Sequence, residues 1–261
     1  MRDMLVVAGK ELREIVGAGG GRKGLFREIM FVGIFGLFFP LTQSEAWRSG
    51  GVPAIFALMI PLFLVGPHVA DSFAGERERR TLETLLATRL PDRSIYFGKI
   101  LAVCGYAWVV TLLILLASLI ALNLTGGDRS SIGGTGMPTA GPREWFMYPP
   151  FVWVAWGLGS IASGLLIGAI GTFISLRSKT VRGAHQAMMI PMFLIILGGS
   201  FGIPALFRKL PADTRLAVLG RLEGADPVLI VLWGVGALML FDVVLLALGA
   251  RLFRRDRLIS D

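Results

Sequence analysis

At 261 residues the chain is 54% hydrophobic and only 17% charged, with 34 glycines and a mean hydropathy of +0.69, a balance that excludes an ordinary soluble domain. A net charge of +8 and a pI near 10.4 would suit a nucleic-acid binder, but the basic residues gather at the ends of apolar runs, so no nucleic-acid partner is expected. The single cysteine, Cys104, excludes an intrachain disulfide and lies in an apolar run, where it reads as a small buried hydrophobe.

The pattern predicts an all-α integral membrane protein forming one transmembrane domain over residues 1–261. Residues 1–24 open it as an interfacial helix and linker. From Met4 to Val16, Leu5, Ala8, Leu12, Ile15 and Val16 form a narrow apolar face opposite Lys10, Glu11, Arg13 and Glu14. That stretch is too short and too charged to span, and suits the interface plane. The glycine-rich connector Gly17–Gly24 resembles a phosphate-binding loop only superficially. Arg22 stands where the pattern needs glycine, and Gly24 where it needs Ser or Thr.

Six segments are long and apolar enough to cross a hydrocarbon layer of roughly 30 Å: Phe26–Thr42, Val52–Ala70, Ile100–Leu124, Phe151–Leu176, Ala184–Phe201 and Val228–Ala250. Most of the 26 Lys and Arg residues fall before the first segment, between the second and third, between the fourth and fifth, and after the sixth. Only Arg48, Arg129, Arg143, Arg208, Lys209, Arg215 and Arg221 fall on the other side. The positive-inside rule then makes both termini cytoplasmic.

In the second segment, Pro61 and Pro67 predict a kink. His68 and Asp71 stand three apart at its end, a spacing that fits packing and a helix-end polar contact better than a proton relay. The 71–99 stretch that follows is the most charged part of the chain. Leu82, Leu85, Leu86 and Leu90 fall on one helical stripe beside Glu76, Arg77, Arg79, Arg80 and Glu83. Pro91 stops that helix, and Asp92 or Ser94 can cap the next.

Residues 125–150 read as an external loop, closed by Trp145, Phe146, Met147 and Tyr148 as headgroup anchors. In the fourth segment Ser160, Gly164, Gly168 and Thr172 recur every four residues, a small-residue face for close helix packing within the subunit or across a dimer. The fifth segment is short, ending near Gly198-Gly199-Ser200. Residues 202–227 hold two apolar pieces too brief to cross, which suits external re-entrant helices. Asp242 is the acid well inside the sixth segment. A hydrogen bond to a neighbouring helix explains it better than ion coupling, because no basic partner stands at that depth.

The stretch F-A-G-E-R-E-R-R-T-L-E-T-L-L-A-T-R-L-P-D-R-S-I-Y-F-G-K resembles the segment between the second and third spans of permeases of the type-2 ATP-binding-cassette (ABC) exporter family. Gly75, Glu76, Arg77, Glu78, Thr81, Leu82, Glu83, Leu85, Leu86, Gly98 and Lys99 carry the match, and Arg80 stands where glycine is common. Lys10–Glu14 resembles that family's amino-terminal helix, and Leu252–Asp256 its carboxyl end.

The resemblance implies that 71–99 is a cytoplasmic coupling helix docking on a separate ATPase subunit through Glu76, Arg77, Glu78, Arg80, Thr81, Leu82, Glu83, Leu85 and Leu86. It also implies that two permease subunits form the path in the cell membrane, and that ATP and magnesium bind the partner, none being held by this chain. The competing reading is an ion-coupled secondary transporter built on Asp242, His68 and Asp71. No paired-acid, Ser/His or metal-ligand constellation suggests an enzyme.

Overall fold

A computed structural model of the chain describes residues 2–18, 26, 29–81, 88–124 and 145–253, and among these every regular element is a helix. In order they are α1 (Arg2–Ala18), α2 (Ile29–Thr42), α3 (Ser44–Arg48), α4 (Gly51–Glu78), α5 (Asp92–Leu124), α6 (Pro150–Arg177), α7 (Val181–Lys209), α8 (Ala212–Glu223) and α9 (Pro227–Leu252). Five of them, α4, α5, α6, α7 and α9, are long and apolar enough to cross a membrane, and the chain is a multi-pass helical membrane protein.

Helices α4, α5 and α6 form the centre. Ala57, Val65, Ala70 and Phe73 of α4 meet Ile95, Val103 and Ile114 of α5 and Ala155, Trp156 and Ile167 of α6 in one buried cluster. Lipid tails are as apolar as leucine, so what draws such helices together is close backbone approach at small residues. A Cβ on Gly171 would lie 2.8 Å from Val69 and 2.9 Å from Met188, so α4, α6 and α7 converge where that side chain is missing. Helix α7 joins this core only through Ala184, Met188 and Met192, and α7 and α9 expose most of their apolar surface, including Ile190, Leu194, Trp233 and Leu240.

The second and fifth spans differ from the sequence expectation. Within the described residues the first apolar segment is the helix Ile29–Thr42, widened to a π-turn at Gly33–Phe38, and it ends at Thr42 as expected because Gln43 leaves helical geometry (φ −127°, ψ 47°). The second does not stop at Ala70. It runs on past Pro61 and Pro67 as one helix to Glu78, carrying the first part of the charged motif with it. The fifth does not end at Gly198-Gly199-Ser200, since the helix passes that glycine pair through a π-turn and reaches Lys209 before Leu210-Pro211 breaks it. Of the 202–227 region, only α8 is a separate helix.

At the end remote from the motif, polar contacts pin the incoming chain. Asn123 bonds both the N–H and the carbonyl of Phe146 (2.8 and 3.0 Å), and the Ser118 and Tyr148 hydroxyls are 2.8 Å apart. Arg48 donates to the Leu122 carbonyl and lies over the Phe146 ring. Tyr148 is therefore buried, contrary to its expected role as a headgroup anchor, whereas Trp145 is exposed as that role requires.

Candidate functional site

The motif's first half is the carboxyl end of α4, and its geometry explains the order of its residues. The N–H of Arg80 bonds the Arg77 carbonyl (3.1 Å) and that of Thr81 bonds the Glu76 carbonyl (2.8 Å). Arg80 stands between them at φ 58°, the one non-glycine positive φ among the described residues. This is a Schellman cap, whose left-handed position ordinarily takes glycine because a Cβ is disfavoured there. The match of Arg80 to a position where glycine is common thus has a backbone cause.

Two sides of this helix end are held. On one, the turn between α6 and α7 is clasped: Arg77 donates to the Ser178 carbonyl (3.1 Å), and Glu78 accepts from the Val181 N–H (2.9 Å). Ser175 adds a bond to the Ala70 carbonyl (2.8 Å) and accepts from the Ala74 N–H (3.0 Å). Asp71 reaches forward to Arg79 (3.7 Å).

On the other side lies a buried charge cluster that sequence reasoning missed. Lys99 Nζ is 2.6 Å from Glu11 Oε1 and 2.9 Å from Glu76 Oε1, and it donates to the Ser72 carbonyl at 3.0 Å. Its side chain is 2% exposed and those of Glu11 and Glu76 only 7% and 11%. Half-exposed Lys10 joins from the rim, 3.3 Å from Glu14 and 3.9 Å from Glu76. Burial raises the Glu11 carboxyl above its usual range, against the lowering pull of Lys99 and with help from Glu76 and Glu14. For Lys10, burial acts downward, but the carboxylates of Glu14, Glu76 and Glu11 outweigh it and the net shift is upward.

The neighbouring glycine makes this cluster possible. A Cβ on Gly98 would fall 2.8 Å from Val7 and 2.9 Å from the Met4 carbonyl, so α1 approaches α5 at Gly98 and meets Lys99 one residue later. The face of α1 that docks on α5 therefore bears Val7 and Glu11, both buried, and the apolar stripe expected at the interface is left largely open. Leu5, Leu12 and Val16 of that stripe are 61%, 41% and 64% exposed. The signal available in the sequence was the Gly-Lys pair opposite a helix bearing Glu11, but no spacing rule links residues 88 positions apart.

The predicted site residues are thus divided. Glu76 is turned inward, Arg77 and Glu78 hold the α6–α7 turn, and Arg79, Arg80 and Thr81 are exposed where the helix ends. Leu82, Glu83, Leu85 and Leu86 lie outside the described residues, as does most of the loop predicted at 125–150.

Ser160, Gly164, Gly168 and Thr172 are brought together on one buried face. Gly164 meets Pro61 and Val65, and Gly168 meets Cys104 and Ile100, so the face is spent on α4 and α5 within the chain. The Ser160 and Thr172 hydroxyls return to their own helix at the Trp156 and Gly168 carbonyls. Asp242 is 1% exposed, lies near Cys104 and, contrary to expectation, has no hydrogen-bond partner among the described residues. Asp71 is engaged by Arg79, and the His68 ring packs edge-on against Tyr106. No cluster of three or more potential metal ligands occurs among the described residues.

Comparison with known sequences adds two findings. A family model described as ABC-2 family transporter protein matches residues 39–251. The chain is also similar to the ABC transporter permease protein NatB of Bacillus subtilis (strain 168), being 26% identical over 195 residues, which cover 69% of this chain and 45% of that protein. The chain thus spans less than half the length of this curated relative.

Proposed function

The chain belongs to the ABC-2 family of transporter proteins, and on that premise we propose that it is the permease subunit of an ATP-driven exporter in the cell membrane. It works as a dimer and is driven by a separate ATPase subunit that holds ATP and magnesium. Six spans with both termini cytoplasmic complete this reading, α2 and the residues before it supplying the first. The distribution of Lys and Arg supports the orientation.

The observation that carries the proposal is the double fixing of the α4 end. The segment after Glu78 leaves a helix clasped by Arg77 and Glu78 to the α6–α7 turn and by Glu76 to Lys99 of α5. The chain returns at Asp92 directly into α5. A partner pressing on residues 79–91 therefore moves α4, α5, α6 and α7 together, where a loosely tethered loop would absorb the push. The exposed arginines Arg79 and Arg80 offer charge for the polar rim of a docking groove.

The test is purification of the tagged chain from native membranes in mild detergent. A protein bearing a phosphate-binding loop is expected to accompany it, and Leu85→Asp is expected to reduce that recovery on the order of tenfold, the scale of losing one central interface residue. Recovery of the chain alone, with transport that instead follows an ion gradient, would favour the ion-coupled reading. That reading has weaker support, because Asp71 and His68 are engaged elsewhere while Asp242 stands near Cys104.

A further inference from the structure

The Glu11–Lys99–Glu76 cluster joins three elements distant in sequence, and its charges are unequal. Two carboxylates share one fully buried ammonium, whose remaining proton goes to the Ser72 carbonyl. Lys99 lies at the first turns of α5, and Glu76 and Ser72 at the last turns of α4. These are the two helix ends from which residues 79–91 depart and to which they return. Glu11 is the contribution of α1. Around the cluster Gly98 admits α1 against α5 by close backbone approach, but the polar cluster decides whether that approach holds. A buried carboxylate without its counter-charge is costly enough to drive its helix off the surface.

We infer that Lys99 is a positioning residue that locks α1 to both ends of the motif segment, so that the amino-terminal helix and the α4 and α5 ends form one rigid unit. Its functional consequence, that α1 shares in any movement imposed on residues 79–91, rests on the permease reading above. The lock itself does not. The outward surface of α1, with Leu5, Leu12 and Val16 exposed, would then carry that movement to whatever lies beneath the helix.

The lock can be read as a distance in the full-length chain, reconstituted in phosphatidylcholine–phosphatidylglycerol nanodiscs. Cys104, the sole cysteine, is replaced by alanine. Spin labels are then placed at Gly9 of α1, where a side chain meets nothing within 4 Å, and at exposed Lys179 in the turn that α4 clasps. The parent protein is expected to give a single narrow distance by pulsed electron paramagnetic resonance. Lys99→Met, which keeps the side chain's bulk and removes its charge, is expected to lose that narrow peak to a broad distribution. Lys99→Arg is expected to retain it, a rescue that a role in packing volume alone would not produce.

Glu11→Lys places like charge against Lys99 while leaving the α4–α5 half of the cluster intact. It carries the same expectation should Lys99→Met fail to accumulate. A narrow distance unchanged in Glu11→Lys, or in a well-folded Lys99→Met, would overturn the lock. Absence of an ATPase from the purified parent chain would instead overturn the permease reading, and leave the distance result standing.

Discussion

Arg80 shows how much one backbone angle can decide. An L-residue in the left-handed region costs roughly 1–2 kcal/mol, while glycine surrenders about 0.5–1 kcal/mol more chain entropy on folding. Arg80→Gly should therefore keep the α4 cap and modestly raise the thermal midpoint of the purified protein. Arg80→Val should lower it, because a β-branched side chain fits that angle worst.

Lys99 stands at the opposite extreme. Breaking a buried ion pair by removing one partner costs about 3–5 kcal/mol, so Lys99→Met should be among the most destabilising substitutions at this end of the molecule. Its pH dependence follows from Glu11, which faces Lys99 and Glu76 and has Lys10 and Glu14 beside it on α1. Because the docked state holds the Glu11 carboxyl above its ordinary range, docking is strongest when that carboxyl is protonated and weakens as pH rises through the raised value. The defect of Lys99→Met, measured as label mobility on α1, should accordingly grow toward alkaline pH and shrink on acidification.

Among the elements, α1 and α4 depart most from what periodicity suggests. The stripe of Leu5, Leu12 and Val16 is left open, as an interfacial helix requires, while the face that docks on α5 bears Val7 and an acid, which the apolar period does not mark. A short aliphatic stripe has two possible hosts, protein and lipid, and hydropathy cannot distinguish them. The open surface of α1 accordingly mixes apolar side chains with Arg2 and Arg13, as an interfacial helix does.

Helix α4 continues beyond its apolar stretch because its last turns find partners in Ser175, Ser178, Val181 and Lys99, which a sequence window does not contain. Close approach between elements is equally specific. A Cβ on Gly249 would collide with the Tyr96 hydroxyl, where α9 crosses α5. Gly249→Val is expected to cost about 1–3 kcal/mol through overpacking, whereas Gly236→Val on the same helix, with nothing within 4 Å, should be near neutral. Comparing the thermal midpoints of the two variants checks this.

At the scale of the whole molecule, the bundle is asymmetric. Helices α4, α5 and α6 share a buried core, while α7 and α9 present broad apolar faces outward. Lipid covers such faces at no cost, so their exposure does not by itself demand a protein partner. The apolar crevice of about 300 Å³ between α4, α6 and α9, walled by Ala54, Leu58, Ala155 and Val235, is open to the same environment. Two permease copies per complex is the expectation of the proposed function. Native mass spectrometry of the detergent-solubilised complex checks it: two permease chains are expected, and a strictly monomeric chain in the transporting complex would contradict the dimer.

The sequence by itself determined the class of the protein. Long apolar runs admit only satisfied backbones in a membrane, and the charged motif, with its Gly-Glu-Arg-Glu and Gly-Lys ends, carries the family resemblance in its local order of residues. The strict four-residue recurrence of Ser160, Gly164, Gly168 and Thr172 likewise announced a packing face, because helical period is a property of the chain alone. Which helices that face would meet was not in the period, and the bundle spends it on α4 and α5. Nor could the sequence place Glu11 beside Lys99, leave Asp242 without a hydrogen-bond partner among the described residues, or turn Glu76 inward. Pairings across such separations depend on how whole helices dock, and docking is decided by backbone approach at Gly98, Gly171 and Gly249, where the absence of a side chain leaves no mark on hydropathy.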